Sequence, residues 1–136
     1  MTKSLEGRVA FITGVARGQG RAHAVRLASE GVNIVGVDIC EDIPSMTYPN
    51  ANDADLNDTI RLVEKEGGKM IGIKADVRDY PALEQAVQQG VAEFGRLDII
   101  IANAGIVRLG PESDDFLQDW KDVIDINLTG VFNTLR

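Results

Sequence analysis

Three glycines spaced Gly14-x-x-x-Gly18-x-Gly20 stand directly after the apolar run Val9-Ala-Phe-Ile-Thr13 and directly before a segment of helical periodicity. Glycine at such positions permits a tight turn, lets the backbone approach a ligand, and seats the following helix close to the strand. The opening of that helix offers unpaired N–H groups and a partial positive charge, which suit a pyrophosphate. A tight turn without any ligand would use the same glycines, so their neighbours must decide. Asp38 closes the next apolar run, 18 residues beyond Gly20, where a carboxylate can accept hydrogen bonds from ribose hydroxyls. It also opposes a 2′-phosphate: the two anions at ~4 Å repel by about 4 kcal/mol at an effective dielectric of ~20. Residues 38–58 hold six acids and no base, so nothing in that stretch relieves the repulsion. Arg17 is the contrary sign, since a base just before Gly18 could hold such a phosphate. Asp38 outweighs it, and NAD rather than NADP is the expected cofactor.

The elements that must position these residues follow from periodicity. Short apolar runs at Val9–Thr13, Val32–Asp38, Met70–Lys74 and Leu97–Ala102 read as buried strands. Between them lie helical patterns. Gly18–Glu30 has Ala22, Val25, Leu27 and Ala28 along one side and a stop at Gly31. Ala54–Glu66 carries Leu56, Ile60 and Val63 and ends at Gly67-Gly68. A third helix opens at Pro81, where a missing N–H costs nothing, turns Leu83, Val87, Val91 and Phe94 inward, and ends at Gly95. A last helical stretch runs from about Phe116 through Trp120 to the end. Strands alternating with helices predict an α/β fold, a doubly wound parallel sheet covered on both faces. The unbroken Ile99-Ile100-Ile101 run fits a strand buried on both sides. Cys40–Asn52, with Pro44 and Pro49, is longer than an ordinary strand-to-helix connection, and loops of that kind tend to be functional or mobile.

Composition narrows the rest. The 136 residues suffice for one domain, and 44% hydrophobic with 26% charged residues is the soluble globular norm. Twenty-one acids against 14 Lys plus Arg, a net charge of −7, argue against nucleic acid and anionic membranes as partners. The single cysteine, Cys40, excludes an intrachain disulfide framework. No apolar run approaches the roughly 20 residues of a membrane span, and the N-terminal Met1–Gly7 has no apolar signal core. The expected location is the cytoplasm. His23 has no cluster around it to bind a metal, and its expected role is packing or surface. Cys40 lacks a basic partner that would make it a nucleophile. Trp120 is expected to pack in the core, and Arg108 to approach the mouth of the site.

Thr13-Gly14-x-x-x-Gly18-x-Gly20 resembles the glycine motif of the short-chain dehydrogenase/reductase family. Three further segments resemble that family's marks, in family order. Asp76-Val77, after the third strand, resembles the segment whose side chain and backbone hold the adenine. Asn103-Ala104-Gly105, after the fourth, resembles the Asn-Ala-Gly motif that stabilises the sheet and borders the cofactor. Asn127, in Asp125-Ile-Asn-Leu-Thr-Gly130, resembles the Asn of the catalytic tetrad, whose helix-distorting backbone holds a proton-relay water. Singly, each has an ordinary reading: a loop cap, a turn residue, a local helix bond. Together they span essentially the whole chain. The resemblance implies a Rossmann-type fold and an NAD-dependent hydride transfer between an alcohol and a carbonyl. It also implies a small alcohol or ketone substrate and a homo-oligomer, dimer or tetramer, paired through the last helix. Gly14–Ala28, with Gln19 where the family usually has an aliphatic residue, and Asp38-Ile39-Cys40 before the long loop are similar to the mycofactocin-associated, carveol-dehydrogenase-like branch. That branch oxidises alcohols and is thought to hold NAD tightly. On this resemblance the cofactor residues are Gly14, Arg17, Gly18, Gln19, Gly20, Asp38, Ile39, Asp76, Val77, Asn103, Ala104 and Gly105. Asn127 is the one catalytic residue.

The family's base is a tyrosine with a lysine four residues later, because a phenol near pKa ~10 needs a neighbouring cation to work near neutrality. Here Tyr48 is followed at that spacing by Asn52 and Tyr80 by Glu84, and the serines at 4, 29, 45 and 113 do not match the family serine. The expectation is therefore a cofactor-binding domain over residues 1–136 that is the leading portion of a longer polypeptide and inactive alone. A four-stranded sheet would leave Ile99–Ile101 as an uncovered apolar edge. The alternative is a non-catalytic NAD-binding or regulatory module. A methyltransferase binding S-adenosylmethionine through its glycine turn is a remoter one.

Overall fold

The computed structural model describes residues 4–110 and 113–136; of the stretch read for a signal core, residues 1–3 lie outside them. The β-branched runs form four strands: β1 Val9–Thr13, β2 Asn33–Asp38, β3 Met70–Lys74 and β4 Ile99–Ile101. All pair in parallel in the order β3-β2-β1-β4. The connecting helices are α1 Gly18–Ser29, α2 Asp53–Lys65 and α3 Tyr80–Phe94. After β4 come α4 Phe116–Ile124, a π-helical turn Asp125–Thr129 and α5 Gly130–Leu135. The predicted α/β order and the parallel sheet are both present.

The sheet is covered on both faces because its strands alternate. Ala10, Ile12 and Ile34 pack with Ala24 and Ala28 of α1 and with Leu56 and Val63 of α2. Val9, Phe11, Val35 and Val37 pack on the other side with Leu83 and Ala86 of α3 and with Ile126. Helix starts are chemically marked. Asn52 and Asp55 form a reciprocal capping box on α2, and Asp79 caps α3 with Pro81 in the first turn. The start of β4 is tied to β1 through Asp98, which accepts from Val9 N at 2.9 Å. The Arg96 guanidinium beside it holds the Asp98 carboxyl down at about 2.

Four expectations change. Ala22 is exposed and Ala24 takes its place on the buried side of α1, because Gly20, Ala24 and Ala28 set that face. Val91 of α3 is 41% exposed: the helix rests on the sheet along the line of Leu83, Ala86 and Gly90, one step round from it. Ile99 and Ile101 pack against the α1 side, but Ile100 is 40% exposed. Among the described residues β4 is an edge strand, so the two-sided burial read from the isoleucine run is not seen. Trp120 is 68% exposed rather than in the core, and Phe116 and Leu117 of α4 and Phe132 and Leu135 of α5 are exposed as well.

Candidate functional site

After β1 the chain adds β2 and β3 on one side of it, then crosses to place β4 on the other. Loops at the C-terminal ends of strands diverge where the order reverses, which opens a crevice. Here it is a cleft of about 390 Å³. Gly14, Arg17, Gly18, Gln19, Asp38, Ile39, Asp76, Val77, Asn103, Ala104 and Gly105 all line it. Two of the expected site residues do not: Gly20 lies behind the turn, and Asn127 lies beyond Gly105 and Ile106.

The turn between β1 and α1 is held from both sides. Gly14 has φ +66°, and a Cβ there would meet the Ala104 backbone at 2.9 Å. A Cβ on Gly20 would lie 1.9 Å from the Gly14 carbonyl oxygen, so only glycine lets α1 begin this close. On the β4 side, Thr13 Oγ1 accepts from the Asn103 and Ala104 amides at 3.1 and 3.0 Å, and Asn103 Nδ2 donates to the Thr13 and Gly14 carbonyls. On the α2 side, Arg21 Nη2 donates to the Ala16 carbonyl at 2.7 Å, and its Nε donates to Thr59 Oγ1. The fully buried Thr59 hydroxyl sits 3.0 Å from Ala16 O and 3.1 Å from Val15 O. These contacts give the carbonyls of Thr13, Gly14, Val15 and Ala16 protein donors. Helix α1 has no side-chain cap and no acid in its first turn, so its leading amides are left to an anion. Thr13, Arg21 and Thr59 are not legible as site residues from spacing: Thr13 acts through the distant Asn103, Arg21 through a side chain folded back on its own turn, and Thr59 from a distant element.

Asp38, 8% exposed, is fixed by two main-chain donors: Ala16 N on Oδ2 at 3.0 Å and Cys40 N on Oδ1 at 3.2 Å. Each oxygen keeps further lone-pair capacity for a diol. Cys40 follows in a left-handed conformation, φ 53°. Burial, and then the negative charge of Asp38, push the Cys40 thiol up to about 11, so it is no nucleophile near neutrality. Arg17 Nη2 donates to the Pro49 carbonyl at 2.8 Å. His23 is at the surface.

At the other end, Asp76 is clamped by Arg78, and Asn133 Nδ2 holds the Val77 carbonyl at 2.9 Å. Asn127 lies in the π-helical turn, a distortion frequent at functional sites. Its side chain pairs with Ile106 in both directions, accepting from the amide at 2.8 Å and donating to the carbonyl at 2.7 Å. That reciprocal bond ties the loop after β4 to the helix. Arg108 Nε lies 3.0 Å from Asp119 Oδ2 of α4.

The long segment Cys40–Asn52 forms the outer wall. Ile43, Tyr48, Asn50 and Ala51 line the cleft, none of them expected from sequence. The segment is fastened across the opening: Arg17 holds Pro49, the Tyr48 hydroxyl accepts from Val107 N at 3.1 Å, and Ser45 Oγ donates to Asp122 at 2.6 Å. Its length signalled a function. Which side chains face inward depends on partners remote in sequence, such as Pro49 with Arg17, 32 residues away, and Ser45 with Asp122, 77 residues away.

A parallel sheet with a glycine turn, a buried carboxylate after β2 and a cleft at the reversal of strand order defines a dinucleotide-binding protein of the doubly wound class. Residues 8–136 match the family model described as short chain dehydrogenase. The chain belongs to the short-chain dehydrogenase family. It is 55% identical, over 98% of its length and 48% of the relative's, to an uncharacterized oxidoreductase of Mycobacterium tuberculosis. It is 47% identical, over 97% of its length and 48% of the relative's, to a (-)-trans-carveol dehydrogenase of Rhodococcus erythropolis. The solved structure of carveol dehydrogenase from Mycobacterium avium in complex with NAD superposes with a TM-score of 0.90 at 47% identity, over 99% of this chain and 49% of that one. The chain thus spans about half the length of these relatives.

Proposed function

We propose that this chain is the NAD-binding portion of a dehydrogenase that interconverts a small alcohol and its carbonyl compound by hydride transfer. The observation that carries the reading is the buried Asp38 carboxylate, fixed by two main-chain amides beside an uncapped helix start in one cleft. Bound NAD would supply the hydride acceptor. In this reading the α1 amides take the pyrophosphate, Asp38 accepts from the adenosine ribose hydroxyls, and Asp76-Val77 hold the adenine. Asn103–Gly105 border the nicotinamide side, and the distorted turn at Asn127 offers backbone to a proton-relay water. The tyrosine, lysine and serine of the family's chemistry would come from outside these 136 residues, and the chain alone would be inactive. The relatives named as carveol and cyclohexanol dehydrogenases support a small alcohol or ketone as substrate. The exposed apolar side chains of α4 and α5 support a homo-oligomer, and the net charge of −7 agrees with a cytoplasmic protein that avoids nucleic acid and membranes.

Calorimetric titration of the intact protein tests the cofactor: NAD should bind at least about tenfold more tightly than NADP, given the repulsion at Asp38. Equal affinities would overturn the role of Asp38. The polypeptide beyond Arg136 should contain a serine and, about a dozen residues later, Tyr-x-x-x-Lys. Its lack would favour a binding or regulatory module.

A further inference from the structure

A chain of charges runs outward from the end of the cleft assigned to the adenine. Arg78 N and Nε donate to Asp76 Oδ1 at 2.9 and 3.0 Å, and Nη2 donates to Oδ2 at 2.7 Å. The opposite edge of the guanidinium points to Asp122, with Nη1 at 3.5 Å from Oδ1. Asp122, 6% exposed, is itself held by Gln118 Nε2 at 2.9 Å and by Ser45 Oγ at 2.6 Å. A carboxylate offers only acceptors, but an unclamped one can rotate. Gripped by a bidentate guanidinium, Asp76 keeps its two oxygens in one orientation. Adenine presents an exocyclic amino donor, whereas hypoxanthine presents a carbonyl oxygen at the same place. An acceptor-only Asp76 meets the first with a hydrogen bond and the second with repulsion.

We propose that Arg78, oriented by Asp122, is a positioning residue that fixes the direction in which the Asp76 acceptor faces the base and so makes the site discriminate adenine from hypoxanthine dinucleotides. The inference rests on the reading of Asp76 as an adenine contact. If Arg78 only stabilised the loop after β3, its loss would weaken both dinucleotides alike and leave their ratio unchanged.

Titration of the intact protein with NAD and with nicotinamide hypoxanthine dinucleotide reads that ratio. The unsubstituted protein should prefer NAD by about tenfold or more, the range for a hydrogen bond to a charged group. Arg78→Met should bring the ratio below about threefold, with Arg78→Lys partly restoring it. Asp76→Asn, whose amide can turn to offer a donor, should bring it near one. Asp122→Asn, which keeps the shape and removes the charge, should fall between. A preserved ratio in Arg78→Met overturns the proposal. Should that variant fail to fold, a wild-type ratio in Asp122→Asn beside a lost one in Asp76→Asn overturns it equally. Absence of NAD binding to the unsubstituted protein would instead sink the cofactor reading itself.

Discussion

The glycine turn between β1 and α1 and the segment Cys40–Asn52 face each other across one cleft, yet they are held by different physics. The turn is locked by buried and half-buried contacts: Thr13 with Asn103, Arg21 on Ala16, the buried Thr59, and a helix start that admits no Cβ at Gly20. The outer segment rests on a few hydrogen bonds at or near the surface, such as Tyr48 to Val107 and Arg17 to Pro49, and on the buried Ile43. Buried bonds whose loss strands a polar group cost more than exposed ones that water can replace. The two walls should therefore differ in stability: one is part of the global fold, while the other can open locally.

Breaking the rigid wall should have the largest effect. Gly20→Ala puts a methyl into the Gly14 carbonyl, and overpacking of roughly 1–3 kcal/mol at the turn should weaken NAD binding by at least about tenfold in calorimetry. Thr59→Val comes next. It leaves the Arg21 Nε donor and two turn carbonyls with one partner fewer, and should lower unfolding free energy by about 1–3 kcal/mol in urea denaturation.

The outer wall should respond through rates. Tyr48→Phe removes the acceptor for the Val107 amide at a solvated position, so stability should change by less than about 1 kcal/mol. NAD dissociation followed by stopped flow should quicken a few-fold. An unchanged off-rate would mean that the segment does not limit cofactor exchange.

The smallest effect sharpens the boundary between the walls at Cys40. Its folded thiol, raised to about 11, lies above the ordinary thiol value of 9.0, so the protonated thiol is the form that the fold favours. The stability it contributes is present below pH 9 and is lost as pH rises from 9 towards 11. Disulfide-reagent labelling at pH 8 should be slow in the folded protein and fast in urea. Fast labelling without urea would place Cys40 in the mobile wall rather than the rigid one.

Much of the architecture was legible before any coordinates. The strands β1 and β3 fall where the apolar runs place them, the helices stop at Gly31, Gly67 and Gly95, and the marks from Gly14 to Gly105, Gly20 excepted, line one cleft. Local rules suffice there, because a glycine turn or a buried strand is written in adjacent residues. The misreadings share another cause. Val91, Ile100 and Trp120 have apolar side chains on elements of the right type, but burial depends on what packs against them. Tyr48, Arg78 and Asp122 were invisible as site residues for the same reason: each acts through a partner remote in sequence or through the fold of an irregular loop.

By itself, then, the sequence determined the order of elements, the parallel sheet and the placing of Asp38 beside a glycine turn, since periodicity and glycine spacing act over a few residues. Only the tertiary structure decided which carbonyls Arg21 and Thr59 engage, which side chains of Cys40–Asn52 face inward, and how Asp122 reaches Asp76 through Arg78. Most of these depend on three-dimensional distances between segments remote in sequence, as between Thr59 and Val15 or Arg78 and Asp122, each pair 44 residues apart, and no local pattern encodes them.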